Sequence, residues 1–155
     1  MKFSSRGRYA VRAMIDLAYH TSEHPVSLAT IAVRQGISQH YLEQLFVRLR
    51  RAGLVRSVRG PGGGYFLAKE PNAISVHGIL VAVDEPLSPP ECMKLTDPDQ
   101  EPCDRLDECV SRAIWKRVAD QVAAALDAVS LEDLCKEREK LDKSKVLAHT
   151  YGFSI

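Results

Sequence analysis

No uninterrupted apolar run in this chain approaches the roughly 18 residues of a membrane-spanning helix, so no span is expected. The first residues also lack the apolar stretch of a secretory signal, because Arg6, Arg8 and Arg12 interrupt them. The chain therefore reads as cytoplasmic, where disulfides are rare and clustered cysteines more often bind metal or do redox work. Cysteine is scarce, with four residues, and none sits in the paired Cys-x2-Cys sets of structural zinc. The glycine-rich run Gly60–Gly64 lacks the Lys-Ser/Thr that completes a phosphate loop, and its spacing is not that of a dinucleotide fingerprint. There is no Ser-His-Asp set and no carboxylate pair with a cleft around it, so an enzyme is not expected.

The chain also lacks a strong net charge, yet that near-neutrality hides a split. Residues 1–70 hold 11 Lys/Arg against 4 Asp/Glu, or +7, whereas residues 71–155 hold 10 against 16, or −6. A basic half suits phosphate contacts. The 155 residues suffice for one domain with a core, or for a small domain plus an extension.

Hydrophobic periodicity supplies the elements. Tyr9, Ala13, Met14 and Leu17 recur at helical spacing within residues 4–20. Ser27 can cap a second, short helix running to about Gln35, and Gly36 permits a tight turn. Ser38 can cap a third helix, whose buried stripe is Leu42, Leu45, Phe46 and Leu49, with Gly53 as its C-cap. Short helix, glycine turn and second helix form the helix-turn-helix pattern. Val55, Val58, Tyr65 and Leu67 flank the glycines as a β-hairpin. A short apolar helix follows over Ile74–Val83. The expected fold is thus mainly α with a small β-hairpin wing: a winged helix-turn-helix domain over 1–83 plus a long dimerisation helix.

Residues 84–106 form a cysteine-bearing loop with five prolines (Pro86, Pro89, Pro90, Pro98 and Pro102). It is longer than a plain connector in a compact domain. Residues 107–135 carry a long helix, to about Ala128, and a final short helix whose start is signalled by Ser130 to Asp133. Residues 136–155 read as a Lys/Glu-rich tail that frays. On the long helix Val110, Ile114, Val118, Val122, Ala125 and Val129 form one apolar stripe that needs a partner surface. Docking on its own domain is one solution. A second copy is preferred, since a twofold reader needs two half-site modules.

Two constellations carry chemistry. In the third helix Ser38, His40, Tyr41, Glu43 and Gln44 occupy the N-terminal half, where a helix in the major groove reads base edges. Gln pairs with adenine, and Glu accepts from the cytosine amine. Arg48, Arg50 and Arg51 suit backbone phosphates. Ser57, Arg59 and Gly60 lie at the hairpin, where an arginine beside small glycines suits a narrow minor groove. The second constellation is Cys92-x10-Cys103-x5-Cys109. Thiolates so placed can hold an iron–sulfur cluster, but free thiols, a disulfide switch or zinc remain open on spacing alone. Cys135 stands apart, as a small buried apolar residue.

Four segments resemble one family: Gly7-Arg-Tyr-Ala-Val-Arg-Ala-Met14, Gln35-Gly-Ile-Ser38, Tyr41-Leu-Glu-Gln-Leu-Phe46 and Ser57-Val-Arg-Gly-Pro-Gly-Gly-Gly-Tyr65. They are similar to the bacterial iron–sulfur winged-helix transcription regulators of the IscR and NsrR type, over residues 1 to about 134. The resemblance implies a homodimer on a pseudo-palindromic double-stranded DNA operator, with Glu43 screening bases and Arg59 in the minor groove. It implies an iron–sulfur cluster on Cys92, Cys103 and Cys109, 2Fe–2S favoured over 4Fe–4S, that changes promoter binding. Two departures stand out. The loop between Cys92 and Cys103 is longer than in IscR. The places of the known fourth ligands hold Arg112 and Arg8, and Asp104, Asp107, Glu108 and His149 are unselected substitutes.

The expected function is a homodimeric regulator, a repressor, under cluster control. The rival is a cluster-free thiol-switch or protein-partner-controlled regulator of cysteine or iron–sulfur metabolism. An electron carrier is disfavoured by the basic wing.

Overall fold

Serine starts almost every helix of this protein. The computed structural model describes residues 3–21, 23–85, 87 and 108–151, with side chains described as far as residue 145. Ser4, Ser27, Ser38 and Ser75 cap α1 (Ser5–His20), α2 (Leu28–Gln35), α3 (Gln39–Arg51) and α4 (Val76–Ala82). In each, the hydroxyl accepts a first-turn N–H that would otherwise be orphaned. Ser130 and Asp133 form a reciprocal capping box at α6 (Leu131–Tyr151), with bonds of 2.9 and 3.2 Å. The exception among the described helices is α5 (Val110–Asp127), which begins on Cys109 with no side-chain cap.

The wing is an antiparallel pair, β1 (Val55–Val58) and β2 (Gly64–Leu67), in the register Val55 to Leu67 and Val58 to Gly64. Gly60 takes φ +101° at its tip, a conformation that favours glycine. Tyr65 exchanges two main-chain bonds with Val26, at 2.8 and 3.0 Å. A Cβ on Gly64 would lie 2.5 Å from the Val26 carbonyl oxygen, so only glycine permits this approach.

The core gathers Met14 and Leu17 of α1, Ile31 of α2, the Leu42–Leu45–Phe46–Leu49 stripe of α3, Ile79 of α4 and Leu131 of α6. The Phe46 and Tyr65 rings meet edge-on at 4.8 Å and pin the wing to α3. Within this apolar mass Asp16 is fully buried. Arg34 Nε donates to it at 3.0 Å and Gln35 Nε2 at 2.7 Å.

Helices 1 to 3, the turn at Gly36 and the hairpin lie where the pattern places them. Gly53 stops α3 just past its cap Ala52, at φ +70° with its N–H on the Arg50 carbonyl at 3.0 Å. Two features differ. The apolar stretch from Ile74 forms a helix only over Val76–Ala82, after a 3-10 turn at Pro71–Ala73. The expected short final helix and fraying tail are instead one 21-residue helix, α6. Its first half rests on α1: Arg138 lies 4.4 Å over the Tyr19 ring, and Tyr19 donates to Asp142 at 3.2 Å. These contacts are tertiary, so a polar sequence gave no sign of them.

Glu85 closes the N-terminus of α1 from across the molecule. It is buried, accepts from Ser4 N at 2.7 Å and also from the Ser4 hydroxyl. A Cβ on Gly7 would stand 2.8 Å from its carboxyl carbon, so glycine leaves the seat open. Burial pushes the Glu85 carboxyl up, but the bonds from Ser4 and Gly7 and the nearby Arg6 charge together hold it below its usual range. A depressed carboxylate stabilises the fold above its unfolded pKa, and that stability is lost as pH falls through the folded value. Glu85→Gln should therefore cost about 1–2 kcal/mol at neutral pH and almost nothing at acid pH. Urea unfolding across the carboxylate titration range measures this; an equal cost at every pH would show that the charge contributes nothing.

Candidate nucleic-acid interface and cysteine site

Helix α3 buries one stripe and leaves Gln39, His40, Glu43, Gln44, Arg50 and Arg51 exposed. Its capping residue Ser38 is exposed as well. His40 and Gln44 stand one turn apart, 3.1 Å between side chains. Glu43 accepts from Gln39 at 3.2 Å, and its other oxygen lies 3.9 Å from His40. The exposed face of α3 thus carries donors, acceptors and one carboxylate in an ordered row. Tyr41 is placed differently from its expected neighbours. It is half-buried, with its ring edge-on to Tyr9 at 5.9 Å.

The arginines divide. Arg50 reaches Ser57 of the wing at 3.4 Å, joining two of the expected contact residues. Arg51 is exposed. Arg48 forms an ion pair with Asp84. Ser57, Arg59 and Gly60 are exposed along the wing. Arg56, absent from the sequence-based set, stacks 4.4 Å over Phe66. The cross-strand register that sets Arg56 opposite Phe66 could have flagged it.

At the far end, Cys109 is half-buried and starts α5. Its sulfur lies 3.1 Å from the Ser111 hydroxyl. That contact leads in holding the thiol below its usual range, aided by first-turn N–H groups and by the Arg112 charge. The shift is toward the thiolate, the form that ligates metal. Cys135 is the opposite, pushed up chiefly by burial. Cys92 and Cys103 lie outside the described residues, as do Asp104 and Asp107, and the His149 side chain is likewise not described. Among the described residues no three His, Cys, Asp or Glu side chains converge on a metal site. Arg112 is half-buried, and its N–H bonds the Cys109 carbonyl at 3.1 Å. Arg8 reaches Ser5 at 3.4 Å. Glu108 is exposed.

None of the 18 residues of α5 is buried. Val110, Ile114 and Val118 are 88%, 52% and 43% exposed. A groove of about 340 Å³ runs along Ile114, Val118, Val122 and Ala125. Trp115, 46% exposed, flanks the stripe and was missed because it falls one position off the helical repeat. Val129 is half-buried, and its carbonyl accepts from Val76 at 3.0 Å, tying α5 to the winged domain. Asp127 reinforces that tie, accepting from Ser75 at 2.8 Å and lying 2.9 Å from His77. No helix among the described residues is long and apolar enough to cross a membrane.

A serine-capped helix-turn-helix with an arginine-tipped hairpin beside it defines a winged-helix DNA-binding transcriptional regulator. Residues 3–137 match the Rrf2 family, described as iron-dependent transcriptional regulators, and the chain belongs to that family. It is 48% identical over 142 residues to the HTH-type transcriptional regulator IscR of Photorhabdus laumondii, covering 92% of this chain and 84% of that protein. IscR of Vibrio campbellii is 42% identical over 158 residues, covering 99% and 91%. The solved structure of T. potens IscR matches with a TM-score of 0.71 at 40% identity, over 91% of this chain and 90% of that one. CymR, the global cysteine regulator of B. subtilis, matches with a TM-score of 0.70 at 42% identity, over 88% and 98%. The protein is thus a regulator and not an enzyme.

Arg59→Ala should weaken binding to an operator recovered by in vitro selection by about 1–3 kcal/mol, as for one specific contact. Titration of the labelled duplex at fixed salt checks it; equal affinity would remove the wing tip from the interface.

Proposed function

We propose that this protein is a cytoplasmic, homodimeric repressor whose operator binding is set by an iron–sulfur cluster on Cys92, Cys103 and Cys109. The observation that carries this reading is the start of α5. Five helices spend a serine on their first turn, and α5 alone begins on a cysteine, whose sulfur lies beside the Ser111 hydroxyl and the first-turn N–H groups. A sulfur in place of a capping hydroxyl, shifted toward thiolate and followed by an exposed apolar helix, suits a ligand joined to an interface. Iron–sulfur clusters are held by cysteine thiolates, and the donor set fits one. When bound, the cluster supplies a redox-sensitive iron centre, and a 2Fe–2S form is favoured. Arg112, a donor-only cation, would offset the negative charge of such a centre rather than ligate it. Ser38, His40, Tyr41, Glu43 and Gln44 read bases, Arg48, Arg50 and Arg51 hold phosphates, and Ser57, Arg59 and Gly60 serve the minor groove. Val110, Ile114, Val118, Val122, Ala125 and Val129 face the second copy.

Anaerobic reconstitution tests the ligand set. Ala at Cys92, Cys103 or Cys109 should abolish bound iron and sulfide, while Cys135→Ala should retain them. Loss in the Cys135 variant with retention in a Cys103 variant would overturn the assignment.

The pairing is tested separately. Ile114→Glu with Val118→Glu should convert the dimer to monomer by sedimentation. Operator affinity should then fall on the order of 10²–10⁴-fold, because two linked modules bind far more tightly than one. A variant that stays dimeric would place the interface elsewhere.

The similarity to CymR favours one second reading, a cluster-free regulator responding to cysteine supply or to a protein partner. Iron and sulfide below stoichiometry after anaerobic purification and reconstitution would select it.

A further inference from the structure

Asp84 stops α4 in a left-handed turn, its N–H on the Val81 carbonyl and that of Glu85 on the Leu80 carbonyl, both at 3.0 Å, a place where glycine or Asn is usual. It takes φ +52°, the one non-glycine residue at positive φ among those described. Its carbonyl accepts from Arg6, and the next residue, Glu85, is seated on α1. The residue is therefore held from two sides, and its carboxylate is aimed at Arg48 of α3. Arg48 follows Gln44 by one turn, and Gln44, Arg48, Arg51 and Asp84 line one open groove of about 740 Å³. An acidic side chain so placed touches the phosphate-facing end of the DNA-reading helix.

We infer that Asp84 sets DNA affinity through Arg48, acting as an internal stand-in for a backbone phosphate. In the free protein the Asp84 carboxylate neutralises the Arg48 guanidinium. On DNA, a phosphate must displace it before Arg48 adds to binding. The pair suits displacement, with side chains 41% and 71% exposed, because exposed ion pairs are weak and screened by salt. Its effect is to lower sequence-independent affinity, the term to which phosphate contacts contribute most. Asp84 is a positioning residue here and does not itself contact DNA. The inference rests on α3 being the DNA-reading helix.

The test uses the full-length protein and a labelled mixed-sequence duplex, with binding measured over a range of salt. Asp84→Asn keeps the left-handed backbone, which Asn tolerates as well as Asp, and a thermal melt confirms the fold. Affinity should rise roughly three- to tenfold at low salt, and the gain should shrink as added salt screens the pair. Arg48→Ala should bind more weakly than the parent, and adding Asp84→Asn to it should change nothing. An equal gain from Asp84→Asn with and without Arg48 would make Asp84 a plain repulsive charge and overturn the inference. Reduced affinity in Asp84→Asn would also overturn it, since the pair would then prepare Arg48 for DNA. If Arg48→Ala and Arg59→Ala both bind like the parent, it is the reading of α3 and the wing that fails. If only Arg48→Ala does, that reading stands and the inference alone falls.

Discussion

A carboxylate with no access to water fixes the geometry of the reading domain. Asp16 is fully buried on α1 and can remain charged there only if fully bonded. Arg34 and Gln35, the last two residues of α2, supply those bonds. Arg12 adds a second clamp by donating to the Gln35 carbonyl. The C-terminal end of α2 is thereby fixed against α1. Gly36 then turns the chain at φ +64°, and Ser38 starts α3 at once. The direction in which α3 leaves the domain is thus dictated by one buried charge and one left-handed turn. The wing follows the same logic at one remove, joined to α3 by Phe46 against Tyr65 and by Arg50 against Ser57.

What the sequence reveals and what it conceals divide along the range of the interactions. A serine cap acts on a backbone N–H three residues away, so Ser27, Ser38 and Ser130 are readable from a short window. The α3 stripe and the glycines of the wing are equally local. Arg48 looked like a free phosphate contact because its partner lies 36 residues on. The partial burial of Tyr41 is equally illegible, because Tyr9, the ring it packs on, belongs to another helix. Glu85 and Ser4 are 81 positions apart, and no periodicity joins them. The length of α6 was hidden for a related reason. Its surface is mostly charged, and what holds its first half is Tyr19 of α1.

The apolar helix and the reading domain are joined by few groups. Ser75 caps α4 and also donates to Asp127, the last residue of α5, while His77 pairs with the same carboxylate. The Ser75 bond leads in holding Asp127 below its usual range, against a partial rise from burial, with His77 adding to it. Val76 to Val129 and Leu131 to Ile74 complete a short main-chain link. This link leads into the N-terminus of α4, whose other end leads to Asp84 and Glu85. A second link runs through α6, whose Leu131 enters the core and whose Arg138 and Asp142 hold Tyr19 of α1.

The seat of Glu85 on Ser4 also bears on how the molecule is made. A chain leaves the ribosome from its N-terminus, so α1 emerges before the residue that closes its first turn and waits for it. Glu85 arrives only after the reading helix and wing have been synthesised. Leu131, which completes the core, arrives later still. The bonds that bury Asp16 come from α2, much sooner. The helix-turn-helix can thus assemble as a local nucleus early in synthesis, while the end of α1 and the base of the core stay open until Glu85 and Leu131 have been added.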